Sequence, residues 1–189
     1  GGNDAMGKKH TFNTPIPQRW AFLRCFVACT LTFASVLFFN GTAGPQTAAA
    51  FDIAQIKMAR DMSCMAGIAA FIIFMFVARY RPQAIRPVTL SVSAAVLGLV
   101  GHTLSIASGA LDVQAFLVLG SCATSIATTW ATVLLLLACS SQSQQRVCVC
   151  LAGGAAVAMP LARVVGGIGS DAFVSTVDAV ASIAVIAMV

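Results

Sequence analysis

Long uncharged apolar runs alternate with short polar turns along most of this chain. Residues 62–78 contain no charged side chain; a basic turn follows at residues 79–87, and a second apolar run starts at Val88. An apolar helix of roughly 17–25 residues is long enough to cross the ~30 Å hydrocarbon core of a bilayer. We therefore expect these two runs to form a pair of membrane-spanning helices joined by the basic turn.

Over the whole chain the same pattern predicts an all-α bundle with six transmembrane helices. Their predicted bounds are about 21–39, 62–80, 88–107, 112–138, 147–165 and 171–189. Pro82 and Pro87 should bracket the basic turn, and Pro160 should kink the fifth helix, because proline disrupts a helix interior. Turns at the other end are expected at residues 108–110 and 166–170.

The segment before the second helix has two interpretations. Residues 47–61 mix apolar side chains with charged ones such as Asp52, Lys57 and Arg60. Such a mixture is typical of a short amphipathic helix that lies in the membrane interface. The alternative is that the second helix begins early and projects out of the membrane.

Composition agrees with a membrane protein. Only 9% of the 189 residues are charged, whereas 59% are hydrophobic. Soluble domains carry about 25% charged residues, so a soluble fold of this length would lack polar surface. The net charge of +5 does not indicate nucleic-acid binding, because the basic residues are spread over turns rather than clustered on one surface.

Loop charge predicts the orientation of the bundle. Short loops rich in Lys and Arg stay in the cytoplasm. With the basic turn inside, eight basic residues fall on the cytoplasmic side: Lys8, Lys9, Arg19, Arg24, Arg79, Arg81, Arg86 and Arg146. Three fall outside: Lys57, Arg60 and Arg163. We therefore expect both chain ends in the cytoplasm and the bundle in the cytoplasmic (inner) membrane of a bacterium.

Two domains are expected. The first domain, residues 1–19, consists of a remnant of cloning before Met6 and a polar cytoplasmic arm after it. The second, residues 20–189, is the membrane domain. The chain stops within an apolar run at Val189, so we expect that it continues into a further transmembrane repeat or a cytoplasmic output domain.

Four polar residues share one face of the sixth predicted helix. Asp171, Ser175, Asp178 and Ser182 are spaced by four, three and four residues, which aligns them along one side of a helix. Asp178 lies about 10 Å from the outer helix end at 1.5 Å per residue. Because a carboxylate at that depth must face protein or water, we expect either a ligand site there or a hydrogen bond to a neighbouring helix.

Two residues on other helices could complete such a site. Arg163, near the outer end of the fifth helix, could pair with Asp178 and lower the cost of burying both charges. His102, in the outer half of the third helix, changes charge near neutral pH and could make the site sensitive to pH. The alternative for His102 is a neutral side chain bonded to a backbone carbonyl. The predicted ligand site thus comprises Asp178, Arg163, His102, Ser175 and Ser182.

Small residues predict where helices touch. The fourth helix carries a broad hydroxyl face: Ser121, Thr124, Ser125, Thr128, Thr129 and Thr132. Small polar residues let membrane helices approach closely, so packing is favoured over a substrate path. By the same argument, we expect helix contacts at Gly98, Gly101, Gly153, Gly154 and Ala158.

The sequence predicts no enzyme, no cofactor and no metal site. The seven cysteines lie within or beside apolar runs, where a thiol behaves as a small hydrophobe. Cys148 and Cys150 point roughly 200° apart on a helix, which disfavours a zinc or redox pair. No phosphate-binding lysine and no metal-spaced histidine pair occurs.

The six spans with a basic turn between the second and third resemble one half of a major facilitator transporter. Members of that superfamily carry a Gly-x-x-x-Asp-Arg-x-Gly-Arg type motif at this turn. This chain has Arg79, Arg81 and Arg86 there but neither the Gly nor the Asp, so the motif's role in proton-coupled gating is not carried over. The resemblance covers residues 20–189.

A second resemblance is to membrane-bound regulators of the LuxR type, which join a transporter-like bundle to a cytoplasmic helix-turn-helix domain. That domain does not occur in these residues, so no nucleic-acid partner is expected for this chain. The leading hypothesis is therefore a transporter-like sensory domain that binds a small molecule and signals to a cytoplasmic domain. The alternatives are half of a small-molecule transporter and a structural membrane subunit.

Overall fold

The computed structural model describes residues 18–40, 49–140, 142–168 and 171–188. Within these ranges the long elements are all α-helices: α1 (Gln18–Asn40), α2 (Ile53–Tyr80), α3 (Pro87–Leu111), α4 (Gln114–Cys139), α5 (Gln144–Ile168) and α6 (Asp171–Met188). The described part of the chain contains no strand, which confirms the all-α prediction. The predicted N-terminal arm up to residue 17 lies outside the described residues.

Five of these helices are long and apolar enough to cross a membrane: Arg19–Leu37, Ile53–Tyr80, Pro87–Leu111, Gln114–Cys139 and Gln144–Val165. Their outward surfaces agree with lipid surroundings. Large apolar side chains are exposed along α2, among them Met65, Ile73 and Phe76. Because soluble monomers rarely expose contiguous apolar patches of more than a few hundred Å², these features are typical of a multi-pass membrane protein. The sixth span and the orientation stay predictions.

Helix α4 occupies the middle of the bundle. It packs along α3 on one side and α2 on another, and it also contacts α1 and α6. Helix α6 packs against α1, α3 and α4, whereas α5 packs chiefly on α1 among the described residues. Among the described residues, the arrangement therefore leaves α2 and α5 at the periphery and gives α4 the most neighbours.

Glycines set the closest helix crossings. A Cβ added to Gly101 of α3 would lie 2.7 Å from the backbone nitrogen of Thr124 in α4, and one added to Gly120 would lie 2.9 Å from the carbonyl oxygen of Gly101. At the crossing of α1 with α5, a Cβ on Gly154 would lie 3.1 Å from the backbone nitrogen of Thr30. Gly101 and Gly154 are thus helix contacts, as the sequence predicted.

Helix α2 begins earlier than the favoured prediction. It starts at Ile53 rather than near residue 62, so its first part is not a separate interfacial helix. The N–H of Asp52 donates to Gln55 Oε1 at 3.0 Å and holds the first turn. Farther along, Ala59 is buried with Phe51 and Leu117. Because of this packing against α4, the alternative interpretation, an early start of α2, is the correct one for residues 53–61.

The turn between α3 and α4 was also predicted in the wrong place. Residues 108–110 are helical, and the chain reverses at Asp112 and Val113. Asp112 ends α3 with a left-handed backbone at φ 53°, a conformation that aspartate tolerates. Gly109 does not break the helix, since glycine is more frequent in membrane helices than in soluble ones. Asp112 therefore caps α3 instead of opening α4.

Prolines behave as expected at the basic turn. Pro82 starts the short 3-10 helix Pro82–Ala84, and Pro87 is the first residue of α3. Proline suits both positions, because the N–H of a residue at the start of a helix has no partner within that helix. Pro160 lies inside α5, which continues on both sides of it, and the kink expected there stays a prediction.

Candidate functional site

The predicted site residue His102 lies in the interior of the bundle. Its side chain is only 8% exposed, and it sits on the face of α3 that also buries Gly98 and Gly101. This helix packs against α4 and α6. A buried histidine in a contact between membrane helices is an expensive polar group, so its position agrees with either a structural or a ligand-binding role.

The other residues of the predicted site are described less completely. Ser175, Asp178 and Ser182 lie within α6, but their side chains lie outside the described residues. Helix α6 does pack against α3, the helix that carries His102. The grouping of these side chains around His102 stays a prediction.

Arg163 lies on a third helix, α5. It is exposed on α5, whose main packing partner in the described part of the chain is α1. It lies about 8 Å from the end of α5 at 1.5 Å per residue, near enough for its guanidinium to reach the membrane surface. The proposed ion pair between Arg163 and Asp178 stays a prediction.

The hydroxyl face of α4 serves packing. Thr124 donates to the carbonyl of Gly120 at 2.9 Å, Thr129 to that of Ser125 at 2.8 Å, and Thr132 to that of Thr128 at 2.8 Å. Because these hydroxyls bond within their own helix, they present small, satisfied surfaces to the neighbours. Thr124 then meets Gly101 of α3, and Ser125 meets Gly67 of α2. Thr124 and Ser125 are thus helix contacts, as the sequence predicted, and the preference for packing over a substrate path stays a prediction for the rest of this face.

Four cysteines from three helices meet in one buried core. We call them the thiol cluster: Cys25 and Cys29 of α1, Cys139 of α4 and Cys150 of α5. Cys29 and Cys150 are 0% exposed. Ala28, Ala131, Leu135 and Val185 complete the core.

The thiol cluster was not predicted as a group. The packing interpretation holds for its members, since all four are buried, and Cys148 is exposed while Cys150 is not, as their angular separation predicted. The sequence did contain one signal. Cys25 and Cys29 are four residues apart and therefore share a helix face. Their partners are more than 100 residues away, so only the fold brings them together.

Charge divides the two ends of the bundle. Arg79, Arg81, Arg86 and Arg146 are exposed in the turns that join α2 to α3 and α4 to α5, and we call this the basic end. Asp52, Asp61 and Asp112 lie toward the opposite end, where α2 begins and α3 finishes, together with the exposed Lys57 and Arg60. The thiol cluster extends from the basic end into the middle of the bundle, because Cys139 is the last residue of α4 whereas Cys29 lies halfway along α1.

Comparison with protein-family models, with curated proteins and with solved structures found no match. The part of the chain that the structure describes defines the class by itself: it is helical, and five of its helices are long and apolar enough to span a membrane.

Proposed function

We propose that this chain is the membrane-embedded sensory domain of a larger receptor and that it binds a small polar molecule between α3 and α6. The ligand pocket would be lined by His102 and by the polar face of α6 that carries Ser175, Asp178 and Ser182, with Arg163 as a further contributor. Signalling would proceed by a small shift of α6 against its neighbours toward the basic end. We propose the transporter-like character of the bundle together with its sensory role.

The observation that carries the proposal is the burial of His102 on a helix that packs against α6. His102 lies nine residues from the end of α3, about 14 Å, and Asp178 lies seven residues from the start of α6, about 10 Å. Both helix ends belong to the same side of the bundle, so the two residues occupy similar depths. Polar groups at such depths are costly unless they face protein partners or a water-filled cavity.

The centrality of α6 supports a signalling role. It contacts α1, α3 and α4. If a ligand between α3 and α6 bound one arrangement of these helices more tightly than another, its binding would therefore also move α1 and α4. A ligand can shift such an equilibrium only through that difference in affinity.

Cysteine accessibility tests whether water reaches the proposed pocket. The background carries Cys64→Ser and Cys148→Ser, because these two native thiols are exposed. Asp178→Cys, Ser175→Cys and Ser182→Cys are each treated with a negatively charged methanethiosulfonate in proteoliposomes. The matched control is Val180→Cys, on the same helix at a position that is 61% exposed and therefore faces lipid.

The proposal predicts reaction at position 178 and at one or both serines, and none at position 180, because thiols surrounded by lipid do not ionise. It also predicts reaction only from the side opposite the basic end. Reaction from both sides would contradict the sensor and favour half of a transporter with alternating access. If none of the three positions reacts, the pocket does not exist and a structural subunit is favoured.

A further inference from the structure

We propose that Arg19 of α1 and Arg146 of α5 together bind the phosphate of one anionic phospholipid at the basic end of the bundle. The acyl chains of this lipid would lie along the groove between the two helices. The site is separate from the proposed pocket between α3 and α6 and does not depend on it.

Helices α1 and α5 begin at the same end of the bundle and pack side by side. Cys25 and Phe26 of α1 lie in one core with Cys139, the last residue of α4, and with Val147, near the start of α5. Because the turn from α4 to α5 lies at the basic end, α1 also begins there. The two helices are therefore parallel, and their first residues reach the same surface of the membrane.

The register of the two helices brings the arginines together. At the contact between the helices, a Cβ added to Gly153 of α5 would lie 2.8 Å from the ring of Phe26 in α1. Arg19 precedes Phe26 by seven residues, and Arg146 precedes Gly153 by seven. Seven residues make two turns, about 10 Å, and return to within about 20° of the same face. The two arginines, whose side chains are exposed, thus lie at the same height beside the α1–α5 groove.

No acidic side chain in the described part of the chain neutralises these two charges. Neither α1 nor α5 has an acidic residue in its first turn. Asp52, Asp61 and Asp112 lie toward the opposite end, where α6 also begins with Asp171 and then carries Asp178 in its first half. Basic pockets between membrane helices bind lipid headgroups, and arginine holds phosphate through two parallel N–H donors. A lipid phosphate therefore supplies the missing negative charge at the height of the arginines.

The surroundings of the arginines suit a lipid better than a free anion. Leu23 of α1 and Val149 of α5 lie one turn deeper than the arginines and are 47% and 54% exposed. Trp20 is 60% exposed, and tryptophan is enriched at the level of the headgroups. A phospholipid matches both zones, because its phosphate would meet the guanidinium groups while its acyl chains cover the apolar side chains.

Quenching of tryptophan fluorescence tests the site in the full chain, held in phosphatidylcholine nanodiscs. Trp130→Phe leaves Trp20 as the only tryptophan, next to the proposed site. The quencher is phosphatidylglycerol that is brominated on its acyl chains near the headgroup. Brominated phosphatidylcholine with the same chains is the zwitterionic reference. The ratio of the two quenching efficiencies gives the preference of this position for the anionic lipid.

Three further substitutions are compared in the Trp130→Phe background. Arg19→Gln and Arg146→Gln each remove one arginine of the site. Arg79→Gln is the matched control, because Arg79 is an exposed arginine at the same end but on α2, which packs on α4. Circular dichroism checks that each variant keeps its helices.

The background protein and Arg79→Gln should show the same preference for phosphatidylglycerol. From the usual contribution of one basic residue near an anionic surface, Arg19→Gln and Arg146→Gln should each lower this preference about fivefold. The result for Arg146→Gln is the decisive one. Arg146 is on the other helix from Trp20, so its removal changes the quenching only through a lipid that both helices hold.

Three results would overturn the proposal: equal quenching by the two lipids in the background protein, an unchanged preference in Arg146→Gln, or a loss in Arg79→Gln as large as that in Arg146→Gln. A fourth would be relief of the quenching by inorganic phosphate, which would assign the arginines to a free anion instead of a lipid.

Discussion

At the scale of single residues, small side chains decide how closely the helices pack. Gly101, Gly153 and Gly154 could be predicted as contacts, because glycine in a membrane helix mainly serves close approach. What could not be predicted is which partner each glycine meets. Gly153 lies against the ring of Phe26, and Gly154 lies against Cys29, contacts that depend on the rotation of α5 about its axis.

Gly101→Ala and Gly109→Ala form a matched pair on α3. A methyl group at position 101 would lie 2.7 Å from the Thr124 backbone nitrogen, whereas one at position 109 would meet nothing within 4 Å. Overpacking costs about 1–3 kcal/mol, and alanine in an unobstructed helix gains about 0.5–1 kcal/mol over glycine. Gly101→Ala should therefore lower the unfolding midpoint in a denaturing-detergent titration, and Gly109→Ala should leave it unchanged or raise it. Equal midpoints for the two variants would show that α3 and α4 do not cross at Gly101.

At the scale of helices, apolar run length predicted the order of the long helices in the described part of the chain, and backbone detail shifted their ends. The early start of α2 depends on the bond between Asp52 and Gln55 and on packing near Ala59. The shift of the α3–α4 turn to Asp112 depends on one left-handed residue. Hydropathy contains neither signal, because both arise from polar capping and tertiary contact.

The packing of α2 on α4 can be tested with a designed disulfide. A Cβ on Gly67 would lie 3.9 Å from the Cβ of Ser125, and disulfides need about 3.5–4.5 Å between these atoms. Gly67→Cys with Ser125→Cys, in a Cys64→Ser background, should therefore cross-link rapidly with copper phenanthroline. The peptide bridge is detected by mass spectrometry after digestion.

Ile68→Cys with Ser125→Cys is the control, since Ile68 neighbours Gly67 but is exposed on the outer surface of α2. This pair should form little bridge under the same conditions. Cross-linking of the control at the same rate as the designed pair would mean that the face of α2 toward α4 has been assigned incorrectly.

At the scale of the whole molecule, the described helices form a bundle with an apolar outside and a difference in charge between its ends. The apolar surface and the basic turns follow from the sequence, because the same residues that define the spans also define the loops between them. The meeting of Cys25, Cys139 and Cys150 does not follow, since it needs the relative placement of α1, α4 and α5. The grouping of Asp178 with His102 stays a prediction.

Membrane orientation is the central claim, and thiol labelling of intact cells tests it most directly. In the Cys64→Ser/Cys148→Ser background, Gln83→Cys puts a thiol in the exposed basic turn and Ile53→Cys puts one at the opposite end, where the side chain is 87% exposed. Helix α2 has 28 residues, about 42 Å at 1.5 Å per residue, so both ends extend beyond the ~30 Å hydrocarbon core. A membrane-impermeant maleimide should label position 53 in intact cells and position 83 only after permeabilisation. Labelling of position 83 in intact cells would contradict the account.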